Sequence, residues 1–402
     1  MKKLNYVLKI IFIFFLMNIY LSFFPNGVYA KTNTYNQISN IETNADETIK
    51  EQQEEFEIYD FIKKSKEYAG EFFEQIDINQ ILNDAIKGKI DNSTIFKRIL
   101  NLLGSDILLS IKGLVSILII IIIHSILKSI SESLENDGVA KLIYYVQYIL
   151  IVTIIMKNFS DIVQMVRDTC TNLVAFMNML VPLLVSLMLY TGSITTSGII
   201  EPIILFMINF TGNLIQTVII PLVLVFASLI IISKISDRVQ IDRISNFLKS
   251  SIVWFLGIIL TIFVGIVSLE GTLSSSVDGI TAKTTKAIVS NVIPVVGKIL
   301  GDAVETVLGC GIILKNAVGL VGIIIVIGIC IMPILKLSTL TISYKLLAGV
   351  CQPIADDKIV KLLEQIGDIF KIFLAILCAI SVMLIIGTTL VIKISNSGIM
   401  YR

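Results

Sequence analysis

The chain has 402 residues, 55% of them hydrophobic and 16% charged, with a formal net charge of +1 and a mean hydropathy of +0.87. Soluble domains carry roughly a quarter charged residues, so an ordinary globular fold is excluded. The near-neutral charge also excludes a global basic field that would gather nucleic acid. Five cysteines (Cys170, Cys310, Cys330, Cys351 and Cys378) are scattered in or beside apolar runs. They form neither a disulfide framework nor a set at metal-ligand spacing, and read as small packing residues.

In chain order, Lys2, Lys3 and Lys9 precede an apolar stretch at 10–24, which Pro25 and Gly27 break before Val28, Tyr29 and Ala30. That form is a signal peptide over residues 1–30, cut after Ala30, with an uncleaved first transmembrane helix as the other reading. Residues 31–105 hold nine Lys/Arg against fourteen Asp/Glu, so the segment is acidic. Residues 31–55 lack a sustained apolar period and read as disordered. Helical spacing then returns at Phe56, Tyr59 and Ile62, at Phe72 and Ile76, and at Ile78, Ile81, Leu82, Ala85 and Ile86. Asn92 and Ser93 offer caps for a further helix through Ile95, Phe96, Ile99 and Leu103. This exported, largely helical region is too poor in apolar residues for a large core, and is expected to pack on the membrane domain or on a partner.

Residues 106–402 read as a polytopic membrane domain. Crossing the hydrocarbon layer takes about 20 apolar residues. Candidate spans lie at about 107–128, 139–157, 173–191, 198–214, 215–233, 251–269, 311–334 and 369–392, giving seven or eight transmembrane helices. The expected fold is therefore an all-α, polytopic helical membrane protein. Loop 234–250 is the most basic of this part (Lys234, Arg238, Arg243, Lys249) and belongs inside by the positive-inside rule. With an exported N-terminus, that placement needs 198–233 to cross twice, with a break near Gly212 and Asn213. The C-terminus is then exported, and Lys157 and Arg167 fall on an exported loop against the rule. The segment 270–310, polar at first and then amphipathic, cannot sit in lipid as irregular backbone. It must lie in the interface, fold back, or line a wet cavity. Residues 336–360 are too interrupted for a clear span.

The candidate passage-lining or partner-facing residues follow from this map. Asp302 and Glu305 are one turn apart, with Lys298 one turn before Asp302. Such carboxylates either bind a cation or relay protons, or else form a solvated face paired with Lys298. Lys315 and Asn316 interrupt the start of an apolar run, and Lys315 is expected to snorkel to the interface. Glu201 before Pro202 is either a functional intramembrane carboxylate or close enough to a span end to reach the headgroups. Asn209 and Asn213 lie four apart, with Gln216 beyond, and suit hydrogen bonds between helices. Gly319 and Gly322 allow a close helix approach. His124, the single histidine, has no carboxylate near it in sequence and reads as packing between helices. With no phosphate loop, nucleophile elbow or zinc signature, the chain is not expected to be an enzyme, and neither cofactor nor metal is expected.

The strings GITAKTTK, VIPVVGKILGDAVETVLG, ILKNAVGLVG and YKLLAGVCQP, in that order within 272–353, resemble the stage III sporulation protein AE family of endospore-forming bacteria. The length, the signal and the helical exported region resemble it as well. The resemblance implies a membrane subunit of the channel between mother cell and forespore, a specialised secretion or feeding complex that supports late forespore gene expression. It implies placement in the mother-cell membrane around the forespore. The implied partners are the other stage III sporulation A proteins, including the ATPase and ring-forming members, the forespore protein Q, and the lipid bilayer. A stand-alone secondary transporter or permease component is the alternative.

Overall fold

The computed structural model describes residues 48–73, 77–88, 114–127, 129–130, 137–235, 243–266 and 297–400, and its regular structure is helical throughout. The expected signal peptide, the first part of the linker, the helix through Ile95 and Leu103, and residues 267–296 of the polar insertion lie outside the described residues.

Three helices precede the bundle. Residues 48–55 form α1 where the sequence suggested disorder. Its buried Gln52 donates to the carbonyl of Val307 at 3.2 Å, which fixes a polar helix to a distant part of the chain. Next, α2 (Ile58–Ala69) buries Ile58, Phe61, Ile62 and Ser65. Tyr59, expected on the inner face, points outward. The chain turns at Glu57, which has a φ of 49°, and so resets the helical phase between Phe56 and Ile58. In α3 (Ile78–Ile86) the expected face is buried at Ile78, Ile81 and Leu82, and Asp77 caps the helix by accepting from the Asn79 amide at 3.0 Å.

The bundle follows. It comprises α4 (Leu114–Leu127), α5 (Asp137–Tyr190), α6 (Ile194–Leu214), a π-helical segment (Ile215–Ile219), α7 (Ile220–Ile235), α8 (Arg243–Ile266), α9 (Gly297–Cys351) and α10 (Asp357–Met400). Among the described residues, five stretches are long and apolar enough to cross a membrane: α5, α6 with α7, α8, α9 and α10.

Three features of the sequence map change. The stretches 139–157 and 173–191 are two parts of one 54-residue helix, about 80 Å long at 1.5 Å per residue. Lys157 and Arg167 therefore lie within a helix rather than on a loop. The intervening polar residues do not break it, because Phe159, Ile162, Val166, Cys170 and Leu173 keep the inner face apolar and buried. Nor is there a turn at Gly212 and Asn213. Gly212 instead lets α6 approach α5, and a Cβ there would sit 2.4 Å from Val174 Cγ2. The adjustment comes one turn later, as the π segment just before Pro221, whose ring cannot serve the helical ladder. Finally, 311–334 and 336–351 are one helix, α9, which runs through Pro333.

Gly192 (φ 86°) closes the hairpin between α5 and α6. Its amide reaches the Leu189 carbonyl and that of Ser193 reaches Met188, both at 3.0 Å, a Schellman motif that a left-handed glycine permits. Residues 352–356 turn α9 into α10. Those two helices form the centre, with 83% of the most apolar stretch of each buried inside the chain, against 28% for α8. As expected, glycines on α9 allow close approach: a Cβ at Gly322 would lie 2.6 Å from Leu180 Cδ2 on α5, and one at Gly319 would lie 2.4 Å from Ile392 Cδ1 on α10.

Polar contacts fasten one end of the bundle. Asp368 on α10 bonds Lys345 on α9 at 2.7 Å and also pairs with Lys249 on α8. Tyr144 on α5 donates to the Lys234 carbonyl at 2.8 Å, and Tyr148 donates to that of Ile231. His124 on α4 lies 3.1 Å from the Asp356 carboxylate in the α9–α10 turn. The histidine thus has a carboxylate after all, 232 residues away and invisible to sequence spacing.

Two outcomes test this packing. Gly322→Leu should cost about 1–3 kcal/mol by overpacking against Leu180. Gly349→Ala, with open space around it, should be neutral or stabilise by about 0.5–1 kcal/mol. Thermal unfolding in detergent reads both, and equal midpoints would contradict the packing. Asp368→Ala removes the shared partner of two partly exposed lysines and should cost about 1–3 kcal/mol, whereas Lys345→Ala, with its side chain 39% exposed, should cost about 1 kcal/mol or less.

Candidate functional site

The middle of α5 carries a polar stripe. Lys157, Asp161, Gln164, Asp168, Thr171 and Asn178 recur at steps of four and three, with Ala175 completing the series. At 3.6 residues per turn, steps that average 3.5 keep a row on one face. All six polar members are exposed, while the opposite face of the same turns holds the buried Phe159, Ile162, Val166, Cys170 and Leu173. From Lys157 to Asn178 the stripe is about 31 Å long, close to the roughly 30 Å thickness of a bilayer's hydrocarbon core.

Local hydrogen bonds hold the stripe in order. Gln164 Nε2 donates to Asp168 Oδ1 at 2.8 Å within α5. Gln216, in the π segment, donates to Thr171 Oγ1 at 3.1 Å. Asn178 and Asn209 exchange amide bonds at 2.9 and 3.0 Å. The last two contacts join α5 to α6 and the π segment through a polar seam on either side of the Gly212 approach.

Grooves flank the stripe on both sides. One, of about 510 Å³, opens between α5, α2 and α9, where Asp161, Gln164, Asp168 and Asn172 face Tyr68 and Pro333. The other, of about 360 Å³, opens between α5 and α7, with Gln164 and Arg167 opposite Ser228. The stripe offers carboxylates, amides, hydroxyls and one lysine to water or to a facing helix. Among the described residues no group of three or more His, Cys, Asp or Glu is placed to hold a metal ion.

The residues proposed from sequence fall in several places. Asn209 belongs to the seam. Asn213 is exposed one turn on, and its carbonyl accepts from Thr217 at 2.7 Å. Glu201 is half-buried in the second turn of α6, near the hairpin end of the bundle. Lys315 does not snorkel: it is fully buried, and its ammonium donates to the Ile392 carbonyl of α10 at 3.2 Å. Asn316 beside it is half-buried. Lys298, Asp302 and Glu305 lie on the first turns of α9, with their side chains outside the described residues. Among those whose side chains are described, Asn209 belongs to the seam with Asn213 one turn on, and Glu201, Lys315 and Asn316 lie apart from it.

The α5 stripe was missed from sequence because Lys157 and Arg167 were placed on a loop. Its four-three spacing was nonetheless present to be read.

Comparison with known proteins gives the family. The profile of stage III sporulation protein AE matches residues 76–395. Stage III sporulation protein AE of Bacillus subtilis (strain 168) is 29% identical over 306 residues, covering 76% of this chain and 77% of that protein. No solved structure matches. A profile that spans the α3-to-α10 bundle, stripe and central hairpin included, leaves one conclusion: the chain belongs to the stage III sporulation protein AE family.

Proposed function

We propose that this chain is a membrane subunit of the channel complex that joins mother cell to forespore, set in the mother-cell membrane around the forespore. The observation that carries the reading is the bilayer-length polar stripe on α5 in a chain of the stage III sporulation family. A helix that only packed among lipids would have no use for Asp161, Gln164 and Asp168 at exposed positions, where polar and ionisable groups are expensive and mark pathways or partners.

Sidedness follows from charge. Lys141, Lys234, Arg243, Lys249, Lys345 and Lys358 gather at the end of the bundle that holds the α9–α10 turn. The positive-inside rule assigns that end to the mother-cell cytoplasm. Helices α1 to α3 start from the opposite end, beside Tyr190 and Val307, on the side where ring-forming partners and the forespore protein Q would meet it. The subunit performs no catalysis of its own, and an ATPase partner drives any energised step.

A stand-alone secondary transporter is the weaker reading. Such proteins place discontinuous half-helices at the midplane, whereas the apolar helices described here run unbroken through Pro182, Pro202 and Pro333.

Crosslinking and affinity capture of the tagged protein from sporulating-cell membranes tests the proposal. The ring-forming and ATPase members should be recovered with it. Recovery of the chain alone, while those partners crosslink to one another, would reject it. Replacing the carboxylates together (Asp161→Leu with Asp168→Leu) should strongly lower late forespore reporter expression at unchanged protein level. Unchanged expression would remove the stripe from the mechanism.

A further inference from the structure

The bundle has two unlike sides at the same height. Side-chain contacts between helices fix the heights. On α5, Phe159 is level with Phe370 and Phe373 of α10, and Met177 is level with Thr388. On α8, Lys249 meets Asp368 and Phe263 meets Gly387, so Trp254 between them stands level with the α5 residues around Gln164. On α6, Asn209 is level with Asn178. On α2, Phe61 touches Phe176, and Tyr68 borders the same groove as Asp161 and Gln164.

Over this range of heights α6 exposes Phe206 and Phe210, and α8 exposes Trp254, Phe255 and Ile262, all 42–65% exposed. Aromatic and aliphatic surface of that kind suits lipid. The α2–α5 side exposes Asp60, Lys63, Lys64, Lys66 and Glu67 together with Asp161, Gln164 and Asp168. The apolar stretches of α9 and α10 run through the same heights, since Cys330 meets Ser381 and Gly322 meets Leu180 there. If lipid surrounded the bundle, the second side would place at least seven formal charges in hydrocarbon. Each costs about 2.5–3.5 kcal/mol even on the most lenient insertion scales. Snorkelling relieves long side chains near a span end, but Asp161 and Asp168 are short carboxylates within the stripe, and the α2 charges extend the charged surface from them toward the level of Phe176.

We infer that the α2–α5 face stands in water within the thickness of the bilayer while the α6–α8 face stands in lipid, so that the bundle forms one wall of an aqueous gap. The amphipathic α2 is part of that wall, although its sequence belongs to the acidic exported region. This inference deepens the channel reading and rests on it for its purpose, but it concerns only where water reaches.

Site-directed cysteine labelling in sporulating-cell membranes tests it with the full chain. The five native cysteines are buried, so the unmodified protein is the blank, and new labelling of native thiols flags a variant that has not folded. Lys64→Cys and Gln164→Cys should react with a membrane-impermeant hydrophilic maleimide. Trp254→Cys and Phe210→Cys should react slower by about tenfold or more, because a thiol in apolar surroundings carries little thiolate, and should label with a lipid-soluble maleimide instead. Hydrophilic labelling at all four positions would place this range of heights outside the membrane and overturn the inference. Lack of hydrophilic labelling at Gln164→Cys, with Trp254→Cys in lipid, would overturn it too. Neither result depends on whether the partners are captured, so failure here is separable from failure of the complex reading.

Discussion

The α9–α10 hairpin is the element against which everything else is laid. Its two helices bury most of their apolar surface inside the chain, and they are turned tightly by residues 352–356. In a bilayer the attraction between helices comes from close packing and hydrogen bonds rather than from expelled water. Gly322 supplies the close packing to α5 and Gly319 that between α9 and α10, while Ser381 to Cys330 (2.8 Å) and Asp368 to two lysines supply polar fastening. With that centre fixed, α5 lies along the hairpin over its full length, and α6, α7 and α8 flank it.

Much of this was legible in the sequence. Apolar runs located the long helices, the α3 face followed from spacing, and the glycine pair at 319 and 322 marked a close approach. The loop expected within α5 has a plain physical source. A polar stretch between two apolar runs was read as a loop, because hydropathy averages over all faces of a helix. In α5 the average hides a segregated pattern: Asp161, Gln164 and Asp168 face outward while Ile162, Val166 and Cys170 face inward. The break expected at Gly212 had another source, the count of spans needed to put the basic loop 234–250 inside; in the fold that glycine makes a close contact with Val174.

Other features lay beyond any local reading. The pairing of His124 with Asp356, the clamp on Asp368 and the burial of Lys315 against the Ile392 carbonyl join residues 23 to 232 positions apart. Periodicity along one helix does not reveal the partner on another. The placement of α2 is of the same kind: its sequence showed an amphipathic helix, and only the fold laid its apolar face on Phe176, leaving its charges near the level of the exposed aromatics of α8.

The account depends on α5 being one unbroken helix, for only then is the stripe a single face of bilayer length. Spin labels at Lys157 and Asn178, with the distance between them measured by pulsed electron paramagnetic resonance in lipid, test this directly. A narrow distribution near ~31 Å, the rise of an α-helix over that separation, is the predicted result. A broad distribution, or one centred well below that distance, would mean a turn between the two apolar runs and would contradict the account.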